Sequence, residues 1–392
     1  MDFNLPDTAI AVREGLARTV AGFDHAYWSR CDEEHRFPEE AWDALAEGGW
    51  LGLAVPEEFG GGGQGLLELA VACETLSASG ATQGTFLYIL TPGFGAMTIT
   101  RHGTAEQRAE LLPGIAAGRS QFCLALTEPD AGSNALAIST KARRDGDDFV
   151  VSGQKIWISG VDRAEWMIAV TRTIPAADAS PRTHGFTLLL INVPEALEAG
   201  TLRYDPIPKL GGNIVTSSQV FFDDVRVPAH RVIGTVDEGF TVLWDILNPE
   251  RILAAAGGVG GAEAALALAV GHARTREVFG RPIGANQAIQ FPLARVRATT
   301  ELARLMTYKA AWLFDQGLPC GNETNIAKLT SAQVAWDAAD RAFQTFGGMA
   351  YAKELPVERL FRDARIGKNI PVAEELVLAH IGTQMLGLPR SY

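Results

Sequence analysis

The sequence predicts an α+β chain in three parts, and a double change of hydrophobic period carries that prediction. Apolar residues recur at helical spacing through the first 118 residues and again from 237 onward. Between 119 and 236 the pattern shortens to strand-like runs rich in Val, Ile, Phe, Trp and Thr, separated by Gly, Pro and polar turns. The expected domains are an N-terminal helical domain over 1–118, a middle β-barrel or sandwich over 119–236, and a C-terminal helical bundle over 237–392. At 392 residues the chain has room for two or three domains, and 47% hydrophobic with 20% charged residues suits a globular protein.

Each segment has its own signals. FPEEAWDALAEGGW, 37–50, combines a Pro start, an acidic first turn and a Gly stop. PEEFGGGGQG, 56–65, is Gly-rich, but Leu66 and Leu67 stand where a phosphate loop needs Lys and Ser or Thr. It reads as a tight turn before the helix LLELAVACETLSA. TAEQRAELLPGIAAG opens on Thr104 with Gln107 three residues on, a capping box, and closes on Gly118. QFCLALT, FVVSGQKIWIS, WMIAVTRT, GFTLLLINV and SSQVFFDDVRVP are the strands, with DGDD at 145–148 as a hairpin turn and 173–185 as a surface loop. Helices return in DEGFTVLWDIL, RATTELARLMTYKAAWLFDQG and TNIAKLTSAQVAWDAADRAFQTFGG. ILAAAGGVGGAEAALALAV, 252–270, nearly has the length of a membrane span, but Glu263 interrupts it and Ala and Gly dominate. It reads as a helix packed closely between other helices.

The formal net charge of −12 argues against a nucleic-acid surface. Four scattered cysteines without a C-x-x-C pair read as buried thiols in a reducing compartment. The histidines lack metal-site spacing, so no metal is expected. The first residues resemble neither a signal nor a transit peptide, and the expected location is cytoplasmic.

Four stretches each allow two readings. LTEPDAGSNA, 126–135, is a structural loop or the polar edge of a cofactor site. KIWISG, 155–160, holds a core Trp or a ring-covering one. ARTREVFGRPI, 273–283, is a charged helix end or an anion site. FGGMAY, 346–351, is a helix stop or a place of close backbone approach.

Taken in order, PEEFGG, LTEPDAGS, KIWIS, FFDDVRVP, REVFGRPIGANQAIQ, QTFGG and ELPVERLFRDARI resemble the acyl-CoA dehydrogenase family over residues 35 to 380. The resemblance implies a C-terminal four-helix bundle and FAD held between the β-domain and the helices, across a subunit boundary. The matching positions are Leu126, Thr127 and Ser133 along the flavin edge, and Trp157, Ile158 and Ser159 over the ring. Arg276, Phe279 and Gln287 match contacts to the pyrophosphate and adenosine, and Gln344, Gly347 and Gly348 a turn beside the cofactor. Ser133, Asn248 and Arg251 match positions near the thioester. The implied reaction converts an acyl-CoA to its trans-2-enoyl-CoA, passing electrons to an electron-transfer flavoprotein, in a homotetramer or homodimer. Carrier-protein thioesters, an oxygen-using reaction, and a non-catalytic flavin-binding role are the alternatives.

In many family members the catalytic glutamate follows the Arg of the Arg-Asp pair by nine residues. Counting from Arg362, that position is Pro371. Glu374 and Glu375 follow too late, since three residues along a helix is about 4.5 Å. Isovaleryl-CoA and long-chain members carry the base in an L-x-x-E-R context instead. LNPERIL, 247–253, puts Glu250 there, with Asn248 and Pro249 expected to cap or kink a helix start. Burial is expected to raise the Glu250 pKa, and a nearby helix N-terminus to lower it. Proline also lacks the backbone N–H that holds the thioester oxygen in the family, so the Val372 N–H is expected to replace it.

Overall fold

The computed structural model describes residues 4–390. Helices Asp7–Val20, His25–Glu33, Glu39–Glu47, Leu66–Leu76 and Ala105–Ala116 precede the first strand, with an irregular run of tight and wide turns from 77 to 97. The Thr104–Gln107 capping box forms: each side chain bonds the other's backbone N–H. The Gly-rich run before Leu66 is a turn. Asp315 takes the N–H groups of Leu66 and Leu67 at 2.7 and 2.9 Å, so a distant carboxylate caps this helix. A Cβ on Gly65 would meet that carboxylate at 2.6 Å, which is why glycine stands there.

The middle region is a sheet of strands β1 (Phe122–Ala125), β2 (Lys141–Asp145), β3 (Asp148–Ser159), β4 (Trp166–Arg172), β5 (Phe186–Asn192), β6 (Leu202–Pro206), β7 (Ser217–Pro228) and β8 (Val232–Ile233). The path runs β6-β7-β3-β2-β4-β5-β8, with β1 paired to β4. β2 and β4 share one pair, Lys141 with Arg172, so the sheet folds there around an apolar core from Phe149, Met167, Leu189 and Val220. The β2–β3 turn is the Asp-Gly turn at 145–148, with Gly146 at φ +65°.

Helices Gly239–Thr275, Gln287–Asp315, Gly321–Phe346 and Val357–Ile366 pack as the C-terminal bundle. The first has a stretch apolar and long enough to cross a membrane, but 67% of that stretch is buried inside the protein. All four cysteines are buried and free. Asn248 and Pro249 do not cap a helix, contrary to expectation: the helix starts eleven residues before Glu250 and continues through them. Pro249 removes one N–H and frees the Asp245 carbonyl, but Glu250 is mid-helix, away from any N-terminal dipole.

A buried ion pair fastens the 126–140 loop to β3. Lys155 Nζ donates to the Leu126 carbonyl and to Glu128 Oε1 at 2.8 and 2.9 Å. Glu128 also accepts from the Ser139 N–H and hydroxyl and from the Thr140 N–H. Burial alone would raise the Glu128 pKa, but the Lys155 charge and the Thr140 donors outweigh it and hold the carboxyl at about 2. Stability from this depressed pKa is therefore present above the ordinary value of 4.5 and lost as pH falls from there toward 2. Glu128→Gln is expected to destabilise the protein by about 3–5 kcal/mol at pH 7, since it strands a buried ammonium. It should also flatten the fall of Tm between pH 5 and 3. Thermal melts across that range check both, and parallel curves for the two proteins would contradict a titrating Glu128.

Candidate active site

Glu250 lies on the Gly239–Thr275 helix and faces an open-mouthed cavity. The wall comes from four sources: this helix, the Gly321–Phe346 helix, residues 360–371, and the irregular 82–89 segment. The part of Glu250 that retains exposure faces this cavity, while protein surrounds the rest. Among the described residues it has no hydrogen bond and no ion pair. Burial raises its pKa to about 7, with the neighbouring Arg251 charge pulling weakly the other way. A carboxylate that titrates near neutrality and carries no partner is available to take a proton.

Pro371 lines the same cavity. The position that lacks a carboxylate and the glutamate one helix away therefore face one space. Beside Pro371, the buried Lys328 also lines the wall and donates its Nζ to the Val372 carbonyl. Burial lowers the Lys328 pKa to about 8, with Glu374 opposing. Glu374 is turned away: it accepts from Gln333 and pairs with Lys368 at 3.5 Å. Asn248 and Arg251 do not line the cavity. Arg251 is buried on another face of its helix, near the Trp244 ring, with its Nη1 3.4 Å from Asn248 Oδ1 and its Nε unpartnered.

A second group sits at the end of β3. A bulge between Lys155 and Ile158 takes Ile156 and Trp157 out of the β3–β7 ladder. The Ile156 N–H bonds the Thr127 carbonyl at 2.9 Å, drawing Leu126 and Thr127 beside the bulge. Trp157 is held at φ +62° with 55% of its surface exposed. A bulky residue at positive φ is strained, and an exposed indole there is not core filling. The core-Trp reading of KIWISG is thus corrected. The Ile158 side chain is buried in the β core, which leaves only its main chain to meet a cofactor. The Ser159 hydroxyl is 3.3 Å from that of Ser217, and Ser133 is exposed on the loop. Gly160 packs on Leu90, next to Ile89 of the cavity wall, which links the two groups.

The remaining candidates lie elsewhere. Arg276 and Phe279 are on a small exposed hairpin past Thr275, and Phe279 is fully exposed at φ +54°. Gln287 is exposed at the next helix start. His272 stacks on Phe346 at 4.2 Å, which brings this end of the bundle beside Gln344, Gly347 and Gly348. Gly347 has φ +65°, and nothing lies within 4 Å of a Cβ built on either glycine. The helix separates Glu250 from Thr275 by roughly 38 Å, so one chain does not join this group to Glu250.

These groups fit a flavin dinucleotide: an exposed, fixed aromatic with hydroxyls beside it, and an Arg fork with open glycine backbone suited to a pyrophosphate. The sequence reading missed Lys328, Asp363 and the cavity glycines Gly257, Gly258 and Gly261. The glycines were visible as a small-residue helix face, and their helical spacing with Glu250 was the available signal. Lys328 had none, since its partner is remote in sequence.

Family models for the acyl-CoA dehydrogenase N-terminal, middle and C-terminal domains match residues 6–119, 123–225 and 237–385. The acyl-CoA dehydrogenase FadE12 of Mycobacterium tuberculosis is 39% identical over 384 residues, 97% of each chain. The butyryl-CoA dehydrogenase of Megasphaera elsdenii superposes with a TM-score of 0.92 at 30% identity, covering 98% of this chain and 100% of that one. A glutaryl-CoA dehydrogenase in complex with glutaryl-CoA gives 0.94 at 29% identity, covering 100% and 98%. With three domain matches in order and a flavin-suited site, the chain belongs to the acyl-CoA dehydrogenase family of FAD-dependent oxidoreductases.

Proposed function

We propose that this enzyme oxidises an acyl-CoA thioester to its trans-2-enoyl-CoA, with Glu250 as the base that removes the α-proton. The unpartnered Glu250 carboxylate, facing the cavity between the helices, is the observation that carries the reading. FAD supplies the hydride acceptor for the β-carbon. Thr127, Trp157 and Ser159 hold its ring from the β-domain. Arg276, Phe279, Gln287, Gln344, Gly347 and Gly348 hold the other end of a second copy's cofactor, because they lie too far from their own Glu250. That separation supports a homodimer or a dimer of dimers, and an electron-transfer flavoprotein is the proposed acceptor.

The α-proton of a thioester is very weakly acidic, so the developing enolate oxygen needs a donor. Pro371 has none. The Val372 N–H bonds nothing among the described residues. Lys328 holds the carbonyl of the following peptide, 372–373, which restrains the turn that carries this N–H.

Three outcomes are expected. Anaerobic mixing of FAD-loaded protein with acyl-CoAs bleaches the flavin, and Glu250→Gln slows this by about 10²–10⁴. Equal bleaching in both proteins would move the base elsewhere. The base must be ionised, so kcat/KM falls tenfold per pH unit below about 7 and levels above it; an acid limb near 4.5 would contradict a buried Glu250. Lys328→Met, which keeps the side chain's bulk, lowers kcat by up to about 10² with KM little changed, as misplacement of a donor by about 1 Å does. Unaltered kcat in a folded Lys328→Met protein would remove Lys328 from positioning that donor.

A further inference from the structure

The cavity extends well past Glu250. Along one helix its wall runs through Glu250, Ala254, Gly257, Gly258 and Gly261, and along the facing helix through Lys328, Ser331, Ala332, Ala335 and Ala339. Each series keeps to one helix face, and each spans eleven residues, or about 16 Å. Phe86, Ile89, Leu360, Ile366 and Ile370 close the remaining sides.

Most polar side chains on this wall are already bonded within the protein, with the Thr85 hydroxyl the exception among the described residues beyond Glu250. Thr82 donates to Asp363 at 2.6 Å, Gln83 to the Asp363 carbonyl at 3.1 Å, Ser331 to the Lys328 carbonyl at 3.1 Å, and Lys328 to the Val372 carbonyl. A group entering the cavity beyond Glu250 therefore meets one unbonded hydroxyl, on Thr85, and otherwise little unmet hydrogen-bonding demand. It gains by burying hydrocarbon, and a hydroxyl or carboxylate there would lose its water without compensation.

We infer that this trough seats an unfunctionalised, long straight acyl chain, and that Gly261, with Ala335 and Ala339 opposite, sets its length limit. The inference rests on the dehydrogenase reading for the head of the substrate. A staggered chain of 1.5 Å bonds advances about 1.25 Å per bond, so 16 Å takes roughly 12–14 carbons. The small residues are not all there for helix packing. A Cβ on Gly257 would strike Thr85 at 2.7 Å and one on Gly258 would press the Ser331 carbonyl at 3.1 Å. A Cβ on Gly261 meets only the Ser77 hydroxyl, at 3.6 Å. Close packing does not require glycine at 261, so the space it leaves belongs to the cavity.

The first test is binding, which needs no turnover. S-alkyl-CoA thioethers of 4 to 18 carbons are titrated calorimetrically into FAD-loaded protein, wild type beside Gly261→Leu and Ala335→Leu. Affinity is expected to tighten about fourfold per methylene up to roughly 12–14 carbons in wild type, then level. Both variants should level several carbons earlier and bind the four-carbon ligand within twofold of wild type. Flavin bleaching by the corresponding acyl-CoAs should follow the same profile, with the 14-carbon rate cut at least tenfold in the variants. A wild-type plateau at four to six carbons, or variants that weaken every length equally, would overturn the inference. Length-dependent binding without bleaching would sustain the chain seat and instead defeat the dehydrogenase reading. Gly261→Ala, which favours helix, guards against a folding artefact: it should shorten the plateau by about one carbon with Tm unchanged or raised.

Discussion

The position of the cavity in front of Glu250 depends on one buried ion pair, Arg359 with Asp363. Both residues are essentially removed from water, at 2% and 3% exposure. Asp363 accepts from Arg359, from the Thr82 hydroxyl and from the Gly212 N–H, while Arg359 also reaches the Gly80 carbonyl at 2.7 Å. One carboxylate thus joins the last long helix, the irregular 77–97 segment and the turn before β7. Its neighbour Arg362 adds Asp32, Glu358 and the Leu210 carbonyl, and Asp32 accepts from the Asn213 N–H. An unpaired charge at such depth would be costly, so each partner holds the others in place. The 77–97 segment tolerates Thr82 at φ +44° and Gly80 at φ +101° because this node determines its course. Thr82 and Asp363 are cavity wall as well, so the clamp between domains and the proposed substrate chamber share atoms.

The same logic marks what the sequence could reveal. SSQVFFDDVRVP was legible to the residue as β7 because alternation and β-branched residues are local facts. KARRD was not read as β2, since only Ala142 is buried and its other residues face water. LRYDP, with Leu202 alone buried, was missed as β6 for the same reason. Asp315 capping Leu66 and Lys328 holding Val372 depend on contacts across 249 and 44 positions, and no periodicity reports them. Glu250 was found because a motif placed it and a proline excluded its rival. Its expected helix cap failed because Pro249 can sit inside a helix whose other bonds and packing compensate for one missing N–H.

Trp157 shows a different kind of limit. Composition favoured a core tryptophan, yet the chain holds it exposed at positive φ. The fixed points are on either side: Ile158 is anchored in the β core, and Lys155 in the ion pair with Glu128. Between two buried anchors the bulge must place its extra residue outside, and the strain is offset by that anchoring. A local rule broken between two strong tertiary constraints indicates a functional surface, and the broken rule is itself absent from the sequence.

The proposed move of the base from position 371 to 250 demands less of the fold than the exchange of a glutamate for a proline suggests. Proton abstraction requires a carboxylate at one side of the α-carbon and does not specify which helix supplies it. The Gly239–Thr275 helix and the turn at Pro371 both border that space here, so either can deliver the group. The harder loss at Pro371 is the N–H, because a backbone donor has a fixed direction that a side chain on another helix does not reproduce. A buried lysine bonded to the Val372 carbonyl fixes the following peptide, 372–373, and so anchors the turn on one side of the residue whose N–H is the proposed donor. Where the base is mobile across the fold and the donor is not, the structure around the donor is what must be rigid. Lys328, buried at the base of that turn, supplies the rigidity.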